Sequence, residues 1–139
     1  MPSAIDLLKQ DHREVEQLFS QFEGTQDPAI AEKICSELEV HTAAEEELVY
    51  PVLREDVSGG EKLAGEAEHE HAEARQIIGR IKQTTDAQHL NDVVAELKKA
   101  IEHHVEEEEG TVFPKMEAEV NSDELESIGT ELEQFKQSA

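Results

Sequence analysis

The sequence predicts an all-α fold, an up-down-up-down four-helix bundle followed by a short fifth C-terminal helix. Helix-favouring residues dominate the 139-residue chain, whereas aromatic residues make up 4% and Trp is absent; this composition is typical of helical proteins. Apolar residues recur at steps of three or four along four long segments. That spacing places them on one face of each helix, as in packed bundles.

Local signals place the ends of the first two helices. The first, about Ser3–Glu23, begins with a Ser N-cap and has Asp6 three residues later, which is the pattern of a capping box. The second, about Asp27–Tyr50, has an Asp N-cap followed by Pro28, a residue favoured in the first helical turn. We expect Pro51 to disturb or end this helix, because proline cannot donate a backbone hydrogen bond.

Turn signals separate the remaining helices. A Ser-Gly-Gly turn precedes the third helix, which covers about Glu61–Gln83. The fourth covers about Asp86–Phe113, or continues past Pro114 with a kink. Ser122 is the expected N-cap of a fifth helix, about Asp123–Lys136. We expect the fifth helix to pack on the bundle, with pairing to another subunit as the alternative.

The apolar stripes are regular enough to indicate which positions face the core. The predicted core positions are, helix by helix, Ile5, Leu8, Val15, Phe19 and Phe22; Ile34, Leu38 and Leu48; Ala64, Ala67, Ala74, Ile78 and Ile81; Leu90, Val94, Leu97 and Ile101; and, on the fifth helix, Leu125, Ile128, Leu132 and Phe135. We therefore expect residues 1–118 to form one bundle and residues 119–139 to form a C-terminal helix packed on it.

Polar side chains interrupt the stripes of the four long helices at positions that should also face the core. They are His12, His41, Glu45, His71, His104 and Glu108. Burying them without partners would cost about 1–3 kcal/mol for each unsatisfied group, so something in the core must satisfy them. His69, His89 and His103 fall off the stripes, because one or two residues turn a helix by about 100–200°, and are predicted to lie at the surface.

Two segments that contain these polar residues repeat each other. His41–Pro51 reads HTAAEEELVYP, and His104–Pro114 reads HVEEEEGTVFP. In each, a Glu follows the His by four residues and therefore shares its helix face. Such a pair can hold one metal ion through the His and reach towards a second through the carboxylate, so two pairs suit a dinuclear site. Imidazole and carboxylate ligands without thiolate favour iron, manganese or zinc over copper(I) or iron–sulfur clusters.

The acidic excess restricts the partners of the protein. The formal net charge is −22, with 12 Lys and Arg, whereas nucleic acids and anionic membrane surfaces are bound through clustered Lys and Arg. We therefore expect neither nucleic acid nor a membrane as a partner. Cys35 is the single cysteine, and the sequence shows neither a leader-like segment nor a long apolar run, so a reducing, cytoplasmic location is expected.

The histidine and glutamate positions together resemble the hemerythrin-like HHE cation-binding domain. The features shared are an Asp-His pair ending at His12, the His41 and Glu45 motif ending in Tyr-Pro, a Glu-His pair ending at His71, and the His104 and Glu108 motif ending in Phe-Pro. The resemblance covers roughly residues 3–118. It implies a hemerythrin-like four-helix bundle around a non-haem di-iron centre.

The resemblance also implies the ligands of two iron ions. The assignments are His12 and His41 for one ion, His71 and His104 for the other, and Glu45 with Glu108 as bridges beside an oxo or hydroxo group. Zinc or manganese would be substitutes for iron in this site.

The sequence departs from the oxygen-carrying hemerythrins near His71. Those proteins have a further His one turn away on the third helix, whereas the corresponding positions here are Ala67, Glu68, Ala74 and Arg75. Glu68 is either an additional ligand or a solvated residue on the flank of the bundle, and Arg75 either steers an anion or is a rim cation. Without a replacement ligand, both ions would keep an exchangeable position, which favours oxygen or peroxide chemistry, or sensing, over reversible oxygen carriage.

Two aromatic residues, Tyr50 and Phe113, precede the prolines of the repeat. Phe113 is predicted to pack in the core. Tyr50 lies nine residues from His41, which corresponds to about 180° around a helix. Packing is therefore the simpler expectation for Tyr50, with contact to the metal centre through a distorted helix end as the alternative.

The resemblance implies a di-iron protein of the bacterial type that binds O2, peroxide or nitric oxide for oxygen or oxidative-stress handling, through two-electron redox at the iron pair. An enzymatic form of this activity would reduce oxygen or peroxide. An alternative is an iron storage or sensing protein whose metal occupancy controls its fold and its binding of partners. A third hypothesis is an acidic helical interaction module with an incidental polar core.

Overall fold

The computed structural model describes residues 2–139, which form a four-helix bundle with an additional C-terminal helix. Its α-helices are α1 (Ala4–Thr25), α2 (Pro28–Ala44), α3 (Tyr50–Asp56), α4 (Gly60–Gln83), α5 (Ala87–Glu107), α6 (Phe113–Glu119) and α7 (Ser122–Ser138). Two π-helical segments, Glu45–Val49 and Glu108–Val112, join α2 to α3 and α5 to α6 without a break. The all-α bundle predicted from the sequence is confirmed. Within residues 2–139, no helix has the length and apolar character needed to span a bilayer.

Side-chain caps begin α1, α2, α5 and α7, the cap of α5 being Asp86. Ser3 and Asp6 form the predicted capping box, in which each side chain accepts a hydrogen bond from the backbone N–H of the other residue. Asp27 caps α2, also as predicted. For α7 the prediction of a Ser122 cap was wrong. The side chain of Asn121 accepts the capping hydrogen bond at 2.8 Å, so the cap lies one residue earlier.

Both helices that carry a repeat continue through their proline. The N–H of Tyr50 donates to the carbonyl of Glu45, five residues back, and the N–H of Phe113 donates to that of Glu108. In a regular α-helix the proline ring collides with the carbonyl four residues earlier, and the wider π turn gives the chain room to pass it. Pro51 therefore disturbs its helix without ending it, and α3 follows the π-helical segment.

A layer of polar residues divides the core into two apolar clusters. One cluster fills the end of the bundle where α1 meets α2 and α4 meets α5. The other fills the opposite end, where α3, α6 and α7 pack. The predicted core positions are buried in these clusters except Leu48 and Phe135, which are partly buried. Leu48 is partly exposed because the π-helical segment directs Val49 and Tyr50 inward instead.

The single cysteine, Cys35, lies buried on α2. Burial raises the pKa of its thiol to about 11, and the negative charge of Glu39 acts in the same direction. The thiol therefore stays protonated at neutral pH and is a weak nucleophile.

The turn between α3 and α4 depends on two glycines. Gly59 has a φ of 72°, in the left-handed region that glycine occupies without strain. A Cβ on Gly60 would lie 1.7 Å from the backbone oxygen of Leu53, so a larger residue would push α3 away from α4.

Replacing Gly60 by Ala should lower the free energy of unfolding by about 1–3 kcal/mol, because the backbone of α3 must move. The control is Gly65→Ala, at an exposed position of α4 where a Cβ meets nothing within 4 Å. That substitution should raise the free energy of unfolding by about 0.5–1 kcal/mol. Urea unfolding followed by circular dichroism measures both. Equal effects would contradict the close approach at Gly60.

Candidate metal centre

The polar layer brings together all six residues that interrupt the apolar stripes, and we call them the inner residues. The four histidines lie on α1, α2, α4 and α5, and the two glutamates begin the two π-helical segments. Each of the six residues is at most 6% exposed. The inner residues are His12, His41, Glu45, His71, His104 and Glu108.

Two groups of potential ligand atoms form within this layer, each with its atoms within 4.8 Å of one another. The first group is His12, His41, Glu45 and Glu108, and the second is Glu45, His71 and His104. Glu108 contacts both groups. One of its oxygens lies 3.2 Å from Nε2 of His12 in the first group, and the other lies 3.4 Å from Nε2 of His104 in the second. Both glutamates therefore lie between one pair of histidines and the other.

A further carboxylate holds the Nδ1 atom of each inner histidine, and we call these four residues the supporting carboxylates. The pairs are His12–Glu109 at 2.7 Å, His41–Asp11 at 2.9 Å, His71–Glu46 at 2.7 Å and His104–Glu70 at 2.7 Å. Because Nδ1 donates to a carboxylate, each imidazole is held in one orientation with Nε2 directed towards the other inner residues.

The supporting carboxylates link the helices in a closed ring. Asp11 on α1 holds the histidine of α2, Glu46 after α2 holds that of α4, Glu70 on α4 holds that of α5, and Glu109 after α5 holds that of α1. Each is the sequence neighbour of an inner residue, and a one-residue offset rotates it by about 100° towards the next helix. Sequence reasoning missed this role, although an acidic residue beside an inner residue was its visible signal.

Basic side chains neutralise three of the supporting carboxylates. The pairs are Asp11–Lys136, Glu46–Arg75 and Glu109–Arg13, the last two at 2.9 and 2.6 Å. Arg75 is therefore a rim cation, one of the two roles predicted for it. Lys136 belongs to α7, so the C-terminal helix is connected through a supporting carboxylate to the histidine of α2.

The carboxylates favour positive charge on His41 and His104. Burial alone would lower the pKa of His41, but Glu45 and Asp11 raise it to about 10. Burial opposes a charge on His104 in the same way, and Glu108 nevertheless raises its pKa well above the usual value. For Glu45, the nearby imidazoles outweigh burial and lower its pKa well below the usual value. The layer requires positive charge, which either protons or bound cations can supply.

Four buried polar atoms form no hydrogen bond with the residues that the structure describes, although Nε2 of His12 and Oε1 of Glu108 lie 3.2 Å apart. The four atoms are Nε2 of His12, Nε2 of His41, Oε2 of Glu45 and Oε1 of Glu108. Each buried atom of this kind costs about 1–3 kcal/mol when it is left unsatisfied. Imidazole nitrogen and carboxylate oxygen are common ligands of iron, manganese and zinc, so the inner residues fit bound metal cations.

Tyr50 also reaches the inner residues, so the expectation that it only packs was wrong. Its hydroxyl donates to Glu108 at 2.7 Å and lies 3.1 Å from Nε2 of His71. The π-helical segment is the reason, because one extra residue in a turn rotates the following residues by about 100°. Phe113, the counterpart in the second repeat, packs as predicted and stacks on His12 with ring centroids 5.8 Å apart.

Glu68 does not join the inner residues. Its two oxygens accept hydrogen bonds from Arg54 at 3.1 and 2.5 Å, and its side chain is 37% exposed. The alternative of a solvated residue on the flank of the bundle is therefore the one that the structure supports. His69, His89 and His103 are exposed, as predicted from their positions off the stripes.

Fold and site together define a class of protein, a four-helix bundle with a buried cation-binding layer. The family model of the Hemerythrin HHE cation binding domain matches residues 3–116. The chain therefore belongs to the hemerythrin HHE cation-binding domain family. Helix α7 lies beyond the matched range.

A comparison with curated proteins finds a relative named DNA nickase in Nostoc sp. (strain PCC 7120 / SAG 25.82 / UTEX 2576), which is 29% identical over 136 residues. The alignment covers 94% of this chain and 38% of the relative. The chain thus spans well under half the length of that protein. No solved structure matches the chain.

Replacing Asp11 by Asn should weaken metal binding about 10–100-fold, because the partner of a metal-binding histidine sets its orientation and basicity. Glu14→Gln is the matched control, since it removes one negative charge from an exposed position of α1. Competition with a chromophoric chelator for Co²⁺ measures both affinities. Equal affinities of the two variants would show that Asp11 does not orient His41 for binding.

Proposed function

We propose that the chain is a hemerythrin-like non-haem di-iron protein that binds O2, or a related small molecule such as peroxide or nitric oxide, in oxygen or oxidative-stress handling. The observation that carries this proposal is the arrangement of the inner residues, with a pair of histidines on each side of two shared glutamates. Membership of a cation-binding family supports it. Two shared carboxylates suit two metal ions better than one.

In this proposal each inner residue is a ligand of iron. The roles are His12 and His41 as ligands of one iron ion, His71 and His104 as ligands of the other, and Glu45 and Glu108 as ligands shared between them. Two iron ions held in this way supply two-electron redox chemistry to a small ligand. Zinc or manganese fits the same donor atoms.

The surroundings of His71 favour a small ligand over a further protein ligand. Ala67 and Ala74 carry no donor atom, and Glu68 is paired with Arg54. Apart from Glu46 and the other inner residues, the polar group beside His71 is the hydroxyl of Tyr50, 3.1 Å from Nε2. Burial raises the pKa of this hydroxyl well above 10, and the charges of the two inner glutamates add to the effect. In the metal-free protein the phenol therefore keeps its proton and donates a hydrogen bond to Glu108.

Iron storage or sensing is the second candidate, and the ring of supporting carboxylates favours it. The inner residues and the supporting carboxylates come from all four long helical segments of the bundle. A cation that binds them stabilises the folded state only, so occupancy and stability are coupled. Lys136 extends that coupling to α7 through Asp11. In this alternative, α7 would change its docking with iron occupancy and report it to a partner.

The charge and length of this chain set it apart from the Nostoc relative. The net charge of −22 opposes binding to a phosphate backbone, and 38% of that relative is covered. We propose instead that the shared part is a metal-binding unit, with a small molecule as its partner and neither nucleic acid nor membrane. The cytoplasmic location stays a prediction.

Iron-loaded protein should contain two iron ions per chain and change its visible spectrum on exposure to O2, peroxide or nitric oxide. His41→Ala should abolish metal binding, because it removes an inner ligand, whereas His69→Ala at an exposed position of α4 should leave it intact. Metal analysis and anaerobic spectroscopy measure these outcomes, and consumption of peroxide would indicate enzymatic turnover.

Other results would count against oxygen handling. A spectrum that does not respond to any of the three ligands, together with a melting temperature that rises steeply with iron, would favour storage or sensing. Equal iron loss from the His41→Ala and His69→Ala variants would contradict the assignment of the inner residues.

Tyr50→Phe should keep the packing of the ring but remove the hydrogen bond to Glu108. Because a buried hydrogen bond to a charged group contributes about 1.5–3 kcal/mol, the free energy of unfolding of the metal-free protein should fall by that amount. Iron content should remain at two ions per chain, while the response of the spectrum to peroxide should change. Urea unfolding and spectroscopy test this, and a variant identical to wild type in both would exclude a role for the hydroxyl.

A further inference from the structure

One supporting carboxylate differs from the other three on its outer side. Asp11, Glu46 and Glu109 each contact a Lys or Arg. In the part of the chain that the structure describes, Glu70 has no such partner. Its second oxygen lies 3.4 Å from Nε2 of His103 instead. The place that a fixed positive charge occupies in the other three pairs is taken here by an imidazole.

Glu107 completes a group of three around this position. Its carboxylate lies 3.4 Å from Nε2 of His103, four residues earlier on α5. The ligand atoms of Glu70, His103 and Glu107 all lie within 4.8 Å of one another. His103 is 65% exposed and Glu70 is 18% exposed, so the group joins the surface to the interior. Two carboxylates and an imidazole are suitable ligands for a divalent cation such as Fe²⁺ or Mn²⁺.

Two members of this group, Glu70 and Glu107, line a cavity of about 160 Å³ that the inner residues His104 and Glu108 also line, whereas His103 lies outside the lining. Its lining includes the exposed residues Glu66 and Glu107, the partly buried Glu70, and the inner residues His104 and Glu108. Glu108 is 1% exposed and its Oε1 has no hydrogen-bond partner among residues 2–139. The cavity thus has exposed carboxylates on one side and the buried carboxylate of an inner residue on the other, with one oxygen of that residue, 3.2 Å from Nε2 of His12, forming no hydrogen bond.

Glu70 connects the outer and inner ligands directly. One of its oxygens accepts a hydrogen bond from Nδ1 of His104 at 2.7 Å, while the other faces His103. The carboxylate of Glu70 therefore lies between the surface group and an inner histidine. A cation held by Glu70 and Glu107 would find its next carboxylate ligand at Glu108, which lines the same cavity.

We propose that Glu70, His103 and Glu107 form a surface site that captures a divalent cation and passes it through this cavity to the inner residues. This inference rests on the proposed function, because it needs a metal centre as the destination. The capture site binds more weakly than the centre, since it is solvent-exposed and offers three protein ligands. Its acidic mouth raises the local cation concentration and thereby the rate of loading.

The chain contains a control for this site. His69 and Glu73 on α4 form another exposed pair four residues apart, with 3.0 Å between Nε2 and the carboxylate. Within the described residues, no third potential ligand gathers with them, and neither residue lines the cavity, whereas Glu107 of the proposed site does. The substitutions His69→Ala and Glu73→Gln change the charge as much as His103→Ala and Glu107→Gln do, at a position that does not lead inward.

The test compares Co²⁺ and Mn²⁺ binding to the full chain and to the two double variants. Wild type should bind two tight equivalents and one weaker equivalent, resolved by titration with electron paramagnetic resonance detection of free Mn²⁺. His103→Ala/Glu107→Gln should retain the two tight equivalents, lose the weaker one, and fill the centre with Co²⁺ about tenfold more slowly in stopped-flow absorbance. His69→Ala/Glu73→Gln should behave as wild type in all three respects.

Two results would overturn the proposal, and they are distinguishable. If the His103→Ala/Glu107→Gln variant keeps the weaker equivalent and loads at the wild-type rate, the capture site is wrong and the metal centre stands. If wild type does not bind two tight equivalents, the centre itself is wrong and the route has no destination. Thermal unfolding of the variants, which alter exposed side chains, verifies that a slower rate does not reflect a damaged fold.

Discussion

In the polar layer, Nδ1 of each histidine donates a hydrogen bond to a carboxylate from a neighbouring part of the bundle. The rest of the structure depends on this ring of four hydrogen bonds. A buried imidazole can direct Nε2 to a ligand in a fixed way when a partner takes Nδ1. Rotating any one helix by a residue, about 100°, would break two bonds of the ring, the one its carboxylate makes and the one its histidine makes. The ring therefore fixes the rotation of four helices relative to one another.

The polar layer opposes folding, whereas the two apolar clusters on either side of it favour folding. Hydrogen bonds and ion pairs satisfy most polar atoms of the layer, and four atoms of the inner residues form no hydrogen bond with the described residues. A bound cation satisfies those atoms, so the same groups that weaken the metal-free protein make metal binding favourable. The two proposed functions, oxygen handling and iron sensing, would both draw on this coupling and would differ in whether a small ligand reaches the bound metal.

Helical phase was sufficient to predict the inner residues, because it alone decides which side chains of a bundle face the core. It failed for Tyr50, since an angle of about 180° from His41 holds for a regular α-helix and the chain inserts a π-helical segment between them. Asp11 could not be assigned because its partner lies on another helix, which only the tertiary fold places beside it. Glu68 could not be assigned because its partner, Arg54, lies on α3. The sequence predicted that the second helix ends near Tyr50, before Arg54.

X-ray diffraction from crystals of the iron-loaded protein, measured at the iron absorption edge, tests the metal centre most directly. Two anomalous peaks per chain are expected in the polar layer, one beside Nε2 of His12 and His41 and the other beside Nε2 of His71 and His104. The supporting carboxylates should remain hydrogen-bonded to Nδ1 in the same crystals. A single peak, peaks confined to surface carboxylates, or histidines turned so that Nδ1 faces the metal would contradict the arrangement described here.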